Sequence, residues 1–290
     1  MTIQASFPRP AAIVLGCGEV GSAVAVALRQ AGLSVALVDE ADPSWHRRGM
    51  AFTNAWYVGN SELENEGACF CASLKSVPSI LARRMIAATT WSWPGVAAAL
   101  EPMLLVDARG RKRRGSDILR GRVPLTIGIG SGFVGGDNVD VAIENAAEVP
   151  NGRGGLGTCC AHLADSGHGA DVGRASCLTV EAPRHGRFMT ERRIGDFVRA
   201  SQIVGGLGNE PVVAPIDGVL LGLSARGARV EFGDTLVEVD PDRMPHCYYG
   251  IAAGPRRLAA SVLSAFAVRV DRPRESPLPV DAMVGTSVAR

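Results

Sequence analysis

Short apolar runs alternate with helical spacings through the first half of the chain. Residues 11–15, Ala-Ala-Ile-Val-Leu, are apolar without interruption and end at Gly16, the pattern of a strand buried on both faces. Val20, Val24, Ala27, Leu28 and Ala31 then recur at helical spacing, and Gly32 follows as a left-handed stop. Leu33 to Val38 is a second apolar strand, ending at Asp39. The three segments predict a β-α-β unit with a right-handed crossover. Further on, Phe52 to Val58 reads as a short strand and Ser79 to Ala88 as a helix. Met103 to Val106 and Leu125 to Ile129 read as strands, and Asp137 to Asn145 as a helix start capped by Asp137 or Asn138. Strands alternating with helices over residues 11–146 predict a parallel α/β sheet.

The pattern then changes. Gly152, Gly154, Gly155, Gly157, Gly167, Gly169 and Gly173 crowd the stretch from Asn151 to Ser176, which reads as a linker or a mobile loop. Beyond it, Val180, Ala182, Pro183, Gly186, Gly195 and Val198 match Val212, Ala214, Pro215, Gly218, Gly227 and Val230, all at an offset of 32. Such a match implies an internal duplication of a short, glycine-punctuated β unit. A unit too small to bury its own face pairs with its copy to share one core. Ile251 to Phe266 has the spacing of a closing helix, and the Pro- and Arg-rich stretch from Arg269 to Arg290 is expected to be largely disordered.

Charge and composition narrow the function. The net charge is +1 and aromatics make up 5%, so neither an electrostatic footprint nor a stacking surface for nucleic acid is expected. No run of about 18 apolar residues occurs, and the segment from Ile86 to Val106 is broken by Pro94, Glu101 and Pro102; no membrane span is expected. The seven cysteines have no disulfide-scaffold spacing, and the opening MTIQASFPRP is not that of a secretory signal. Together these predict a cytoplasmic protein with reduced thiols. Lysine occurs only at Lys75 and Lys112.

Gly16-Cys17-Gly18-Glu19-Val20-Gly21 is a G-x-G-x-x-G that follows a strand and opens a helix, with Asp39 at the end of the next strand. That context nominates Gly16, Gly18 and Gly21 for a pyrophosphate at a helix N-terminus and Asp39 for a ribose diol; the alternative is a glycine turn that only packs the helix. Arg47 and Arg48 either fork onto a phosphate, which would favour a 2′-phosphate, or form a solvated loop. Gly128, Gly130 and Gly132 form a second glycine-rich loop, an anion nest or a tight turn without ligand. The basic run from Arg111 to Arg114 faces the same cleft or solvent. Cys159-Cys160 with His162 and His168, and Cys69-x-Cys71, lack zinc-site spacing. No metal is expected. Cys159 and Cys160 are inert thiols or, on a glycine-rich loop, sulfur carriers. No nucleophile elbow, Tyr-x-x-x-Lys pair or Asp-His dyad is evident, so a ligand is nominated without a reaction and no catalytic residue is assigned.

In order along the chain, several motifs resemble one family. They are the glycine loop from Gly16 to Gly21, Arg47-Arg48 before Phe52 and the Ala-Trp-Tyr-Val-Gly of Ala55 to Gly59, and Val106-Asp107-Ala108-Arg109 before Lys112-Arg113. The segments Ile127 to Phe133 and Val139 to Asn145, and the Ala-Pro-x-x-Gly repeats, complete the set. Over most of residues 10–267 the chain resembles accessory proteins of the selenium-dependent molybdenum hydroxylase system, which are related to xanthine dehydrogenase maturation factors. The resemblance implies a Rossmann-type half and a role in maturing or loading a molybdopterin-type cofactor for a client molybdenum-type enzyme. One departure stands out: where the family tends to carry Gly-His-x-Leu-Gly, this chain reads Arg153-Gly154-Gly155-Leu156-Gly157, without the histidine. A paralogue serving another cofactor pathway is therefore a second expectation.

The repeats also resemble the barrel-sandwich fold of lipoyl and biotinyl carriers. There a hairpin between the halves presents a modified lysine. The corresponding stretch here, Gly205 to Glu210, has none, which excludes a lipoate or biotin arm. The expected organisation is a Rossmann-like nucleotide-binding domain over 1–150, a linker over 151–176, a duplicated β-barrel-sandwich domain with closing helix over 177–267, and a tail over 268–290. Three functions compete. The first is a maturation protein binding a nucleotide or pterin-nucleotide. The second is an NAD(P)-dependent oxidoreductase, for which Tyr57 and His46 are the available proton donors. The third is a binding or scaffold protein without turnover. The oligomeric state is left open, a homo-oligomer included.

Overall fold

The computed structural model describes residues 9–110, 117–144, 177–242 and 248–271. Strand β1 (Ala11–Leu15) is buried along its whole length, as an uninterrupted apolar run requires. Helix α1 (Glu19–Gln30) follows, and β2 (Ser34–Val38) returns parallel to β1. Beyond them lie the short helix α2 (Asn54–Val58), the hairpin β3 (Asn60–Leu63) and β4 (Glu66–Phe70), helix α3 (Val77–Ala82) and strand β5 (Ile86–Thr89). Helix α4 (Trp93–Leu100) and strands β6 (Leu104–Asp107), β7 (Leu125–Ile129) and β8 (Val141–Ile143) complete this half. The eight strands form one sheet in the order β3-β4-β5-β2-β1-β6-β7-β8, parallel except for the β3–β4 pair.

Alternation within β1 divides the core. Ala12 and Val14 face a cluster with α1 and the C-terminal helix α5 (Ala253–Asp271), whereas Ala11, Ile13 and Leu15 face α3 and α4. Burying a side chain such as Ile13 stabilises the fold by roughly 1.5–3 kcal/mol. Helix α5, expected to close the β-rich half, packs instead on α1, β7 and β8 of the large sheet.

Three expected elements are corrected. Within the segment from Phe52 to Val58, Asn54–Val58 are helical rather than extended, and Gly59, at φ +85°, caps this short helix at its C-terminus. The helix expected over Ser79 to Ala88 stops at Ala82; Arg84 takes φ +63°, and Ile86 to Thr89 enter the sheet as β5. The helix expected from Asp137 is a turn that leads into strand β8. The polar residues of that turn hold loops instead of capping: Asn138 bonds Val134 N and Gly132 O, and the Asp140 carboxylate accepts from Thr126 N and Oγ1.

The second half is antiparallel. Strands β9 (Leu178–Glu181), β10 (Gly186–Met189), β11 (Phe197–Val198) and β12 (Ile203–Leu207) are followed by β13 (Glu210–Val213), β14 (Gly218–Leu223), β15 (Arg229–Val230) and β16 (Thr235–Asp240). Each strand of the second four begins 32 residues after its counterpart in the first. The two sheets, β13-β12-β10-β15 and β11-β14-β16-β9, exchange under that correspondence. The pairing repeats residue for residue: Ile203↔Val213, Gly205↔Val212 and Gly206↔Pro211 in one sheet answer to Thr235↔Glu181, Val237↔Val180 and Glu238↔Thr179 in the other, with the same bulge. Every sheet takes strands from both copies, and Phe188, Leu207, Val212, Leu220, Val237 and Val239 share one core. The expected linker from Asn151 to Ser176, and the part of the expected tail from Arg272 to Arg290, lie outside the described residues.

Candidate functional site

Parallel β1, β2, β5, β6 and β7 bring their C-terminal ends to one edge of the large sheet. The chain leaves β1 toward β2 on one side, and β6 lies on the other. In such sheets the crevice at this switch point is where ligands bind.

Each glycine of the first loop has a distinct part there. Gly16 adopts φ +100°, turning the chain out of β1. A Cβ on it would lie 3.2 Å from the Ala108 and Arg109 backbone at the end of β6. Gly21 lets α1 lie against the turn, because a Cβ there would fall 1.8 Å from the Gly16 carbonyl oxygen. Gly18 is the N-cap of α1, and no side chain caps that helix. The first N–H groups of a helix have no partner within it, so α1 offers amides to an anion.

The corner is nonetheless furnished. The Cys17 amide donates to Asp39 Oδ2 at 2.6 Å, and the Glu40 amide to Asp39 Oδ1 at 2.8 Å. Asp39 thus braces the loop from the end of β2. Trp45 lies over Gly18, where an added Cβ would be 3.2 Å from indole Cδ2. Glu19, in the first turn of α1, is partly buried, and its buried Oε1 makes no hydrogen bond; Arg47 Nη1 stands 3.7 Å away. Burial raises the Glu19 carboxyl, and the Arg47 charge works against that. Burial also lifts the Cys17 thiol well above its usual range, with the Asp39 charge adding to it, so this cysteine is a poor nucleophile.

Arg47 and Arg48 are held chiefly by the duplicated half. Arg47 Nε and Nη2 donate to Glu238 Oε2 and Oε1, both at 2.7 Å, and His46 Nε2 lies 3.1 Å from the same carboxylate. Arg48 donates to Leu223 O at 2.7 Å and to Asn54 Oδ1 at 2.5 Å. Burial pushes the Glu238 carboxyl up, but the Arg47 and His46 hydrogen bonds outweigh it and hold it at about 2. Both arginines therefore join the α/β half to the duplicated half. Glu238 escaped the sequence reading; its signal was an acid in the apolar strand Thr235–Asp240 where the other copy has Gly206.

The second glycine loop is largely self-contained. Gly128 seats the Phe133 ring, which an added Cβ would approach to 2.1 Å. Gly130, at φ +104°, donates its amide to Ile143 O, and Gly132, at φ +91°, accepts from Asn138. Between the two loops, the buried carboxylate of Asp107 binds the Arg109 amide and guanidinium. Tyr57 donates to Pro43 O at 2.8 Å, and burial raises its phenol. Among the described residues no cluster of three or more His, Cys, Asp or Glu is placed to hold a metal, and no helix is long and apolar enough to cross a membrane. Arg111 to Arg114, Arg153 to Gly157, Cys159, Cys160, His162 and His168 lie outside the described residues.

No known family model matches the chain. It is similar to YqeB of Escherichia coli (strain K12), an uncharacterized protein. The identity is 24% over 257 residues, which make up 87% of this chain and 46% of YqeB, so the chain spans less than half the length of that relative.

Proposed function

We propose that this chain binds a nucleotide or pterin-nucleotide by its phosphates at the Gly16–Gly21 corner, as an accessory protein in the maturation of a molybdenum-type enzyme or in a related cofactor pathway. The observation that carries the reading is Gly18, without a side chain, at the uncapped start of α1, beside the switch point between β1 and β6. The strand order β5-β2-β1-β6-β7-β8 supports a Rossmann-type reading of the sheet. The maturation role rests on the family resemblance of the motifs. The exchange of strands between the two copies supports the barrel-sandwich reading of the β-rich half, which serves as a docking body.

The residues fit a phosphate on one condition, that Trp45 moves. The amides at the start of α1 and the missing Gly18 side chain supply the anion site once the Trp45 indole is moved. Asp39 keeps lone pairs for a ribose hydroxyl while it holds the Cys17 amide. Arg47 and Arg48 are engaged elsewhere, so the backbone carries the phosphate. The oxidoreductase alternative is less well supplied: Tyr57 donates to a carbonyl and His46 adjoins Glu238. The reading is one of binding.

Thermal unfolding with NAD, NADP, ATP, CTP and a molybdopterin nucleotide tests it. A ligand at a hundred times its Kd adds about 2.7 kcal/mol, and Gly18→Asp is expected to abolish that shift. The reading fails if none of the five stabilises either the wild type or Trp45→Ala, or if the shift survives in Gly18→Asp.

A further inference from the structure

One short segment stands between the glycine corner and the duplicated half. The His46 carbonyl accepts from Leu223 N at 2.8 Å, and Gly222 makes room for the His46 ring, which an added Cβ would meet at 2.4 Å. Arg47 forks onto Glu238, and Arg48 donates to Leu223 O. Gly49 passes under Tyr248, whose carbonyl oxygen an added Cβ would approach to 2.2 Å. Four consecutive residues are thus seated on the β-rich half. The residue before them, Trp45, reaches the other way and covers Gly18.

Strand pairing does not require an acid at 238. The position equivalent to Glu238 is Gly206, which pairs across to Pro211 as Glu238 pairs to Thr179. Glu238 serves the contact with His46 and Arg47. The same guanidinium also reaches Glu19 at the start of α1, Nη1 lying 3.7 Å from its Oε1. Arg47 therefore bridges the β-rich half and the helix turn beside the glycine loop.

We propose that Glu238 is a positioning residue for the glycine corner: by clamping His46 and Arg47 it keeps Trp45 seated on Gly18, and release of the clamp opens the corner. The clamp stands on geometry alone; its use in ligand binding rests on the phosphate reading above. Loss of the clamp shifts the population of the open state by the free energy with which the clamp favours the closed one.

The test uses the full chain labelled with 5-fluorotryptophan, with the Trp45 signal assigned through Trp45→Phe. It is joined to hydrogen exchange of the Gly16–Val20 amides and to titration with ATP and NAD. In Glu238→Gln the Trp45 fluorine signal is expected to move toward its solvent-exposed position. The loop amides should exchange about fivefold faster, and nucleotide should bind about fivefold tighter. Glu238→Asp keeps the charge with an arm one methylene shorter, and should show the same changes at smaller amplitude. Glu191→Gln, which alters an exposed acid of the same half, should change nothing. If the Trp45 signal and loop exchange stay at wild-type values in Glu238→Gln and Glu238→Asp, the positioning role is overturned, whatever nucleotide does. If Trp45 is released, neither nucleotide binds and none of the five ligands above stabilises the variant, the clamp stands and the phosphate reading falls.

Discussion

The duplicated half has two outer faces built on one strand frame, and they have met opposite fates. On the β11-β14-β16-β9 sheet, Leu221 is buried beside Tyr248, and Glu238 lies beneath His46 and Arg47. On the β13-β12-β10-β15 sheet the equivalent positions are Met189 and Gly206, and Met189 is 45% exposed, as is Ile203 of the same sheet at 61%. The inward positions hardly differ in kind: Phe188 and Leu207 answer to Leu220 and Val239, all fully buried. A repeated frame therefore fixes which side chains face the shared core and leaves the outward ones free. One face became an internal joint by acquiring an acid, a glycine for the His46 ring and a leucine; the other did not.

Exchanging the acid separates the two faces most strongly. Glu238→Ala leaves the buried Arg47 without its forked acceptor and is expected to cost about 3–5 kcal/mol, whereas Gly206→Glu, on the open face, should stay within about 0.5 kcal/mol. Urea unfolding of the two variants decides it; equal losses would mean that the faces are not different in kind. Acid provides a second, slightly smaller probe. With its folded pKa depressed to about 2 from 4.5, Glu238 contributes stability that is present above about pH 4.5 and lost as pH falls toward 2. The full amount is about 3 kcal/mol. Glu19 has the opposite sign, since burial raises its carboxyl and protonation relieves a buried charge, so it offsets part of the loss. Unfolding at pH 6 and pH 3 should show a smaller drop in Glu238→Gln than in the wild type, and parallel drops would remove Glu238 from the account.

Local regularity decided what the sequence made legible. The β1, α1 and β2 segments were readable because buried strands and a glycine-stopped helix carry dense, short-range patterns. The repeat was readable because its glycines and prolines recur at one offset. The hairpin of β3 and β4 was missed because its turn places Glu64 and Asn65 at φ +51° and +64° without the glycine that usually marks such turns. Helix α2 reads as a strand because Trp56, Tyr57 and Val58 favour strands, and one glycine beyond them reverses the outcome. At the site, the glycines and Asp39 were visible as a motif. What covers and clamps them was not, since Arg47 and Glu238 are 191 residues apart and no local pattern joins them.

The smallest effect tests the shared core itself. Adjacent glycines in β12 point to opposite sides: a Cβ on Gly206 would find its nearest neighbour at 3.5 Å, but one on Gly205 would meet the Phe188 ring at 2.6 Å and the Met189 carbonyl oxygen at 2.7 Å. In the other copy the corresponding residues are Val237 and Leu220. The two copies thus fill one place by opposite means, a large ring against a bare backbone and a branched chain against a smaller partner. Gly205→Val alone should overpack the core by about 2 kcal/mol. Adding Phe188→Leu imports the other copy's pairing, and the double variant should recover about 1 kcal/mol relative to the sum of the single changes. Gly206→Val, one residue along and facing solvent, should recover nothing with the same partner change. If the Gly205 and Phe188 effects simply add, the two copies do not solve the same packing problem, and the correspondence stops at the backbone.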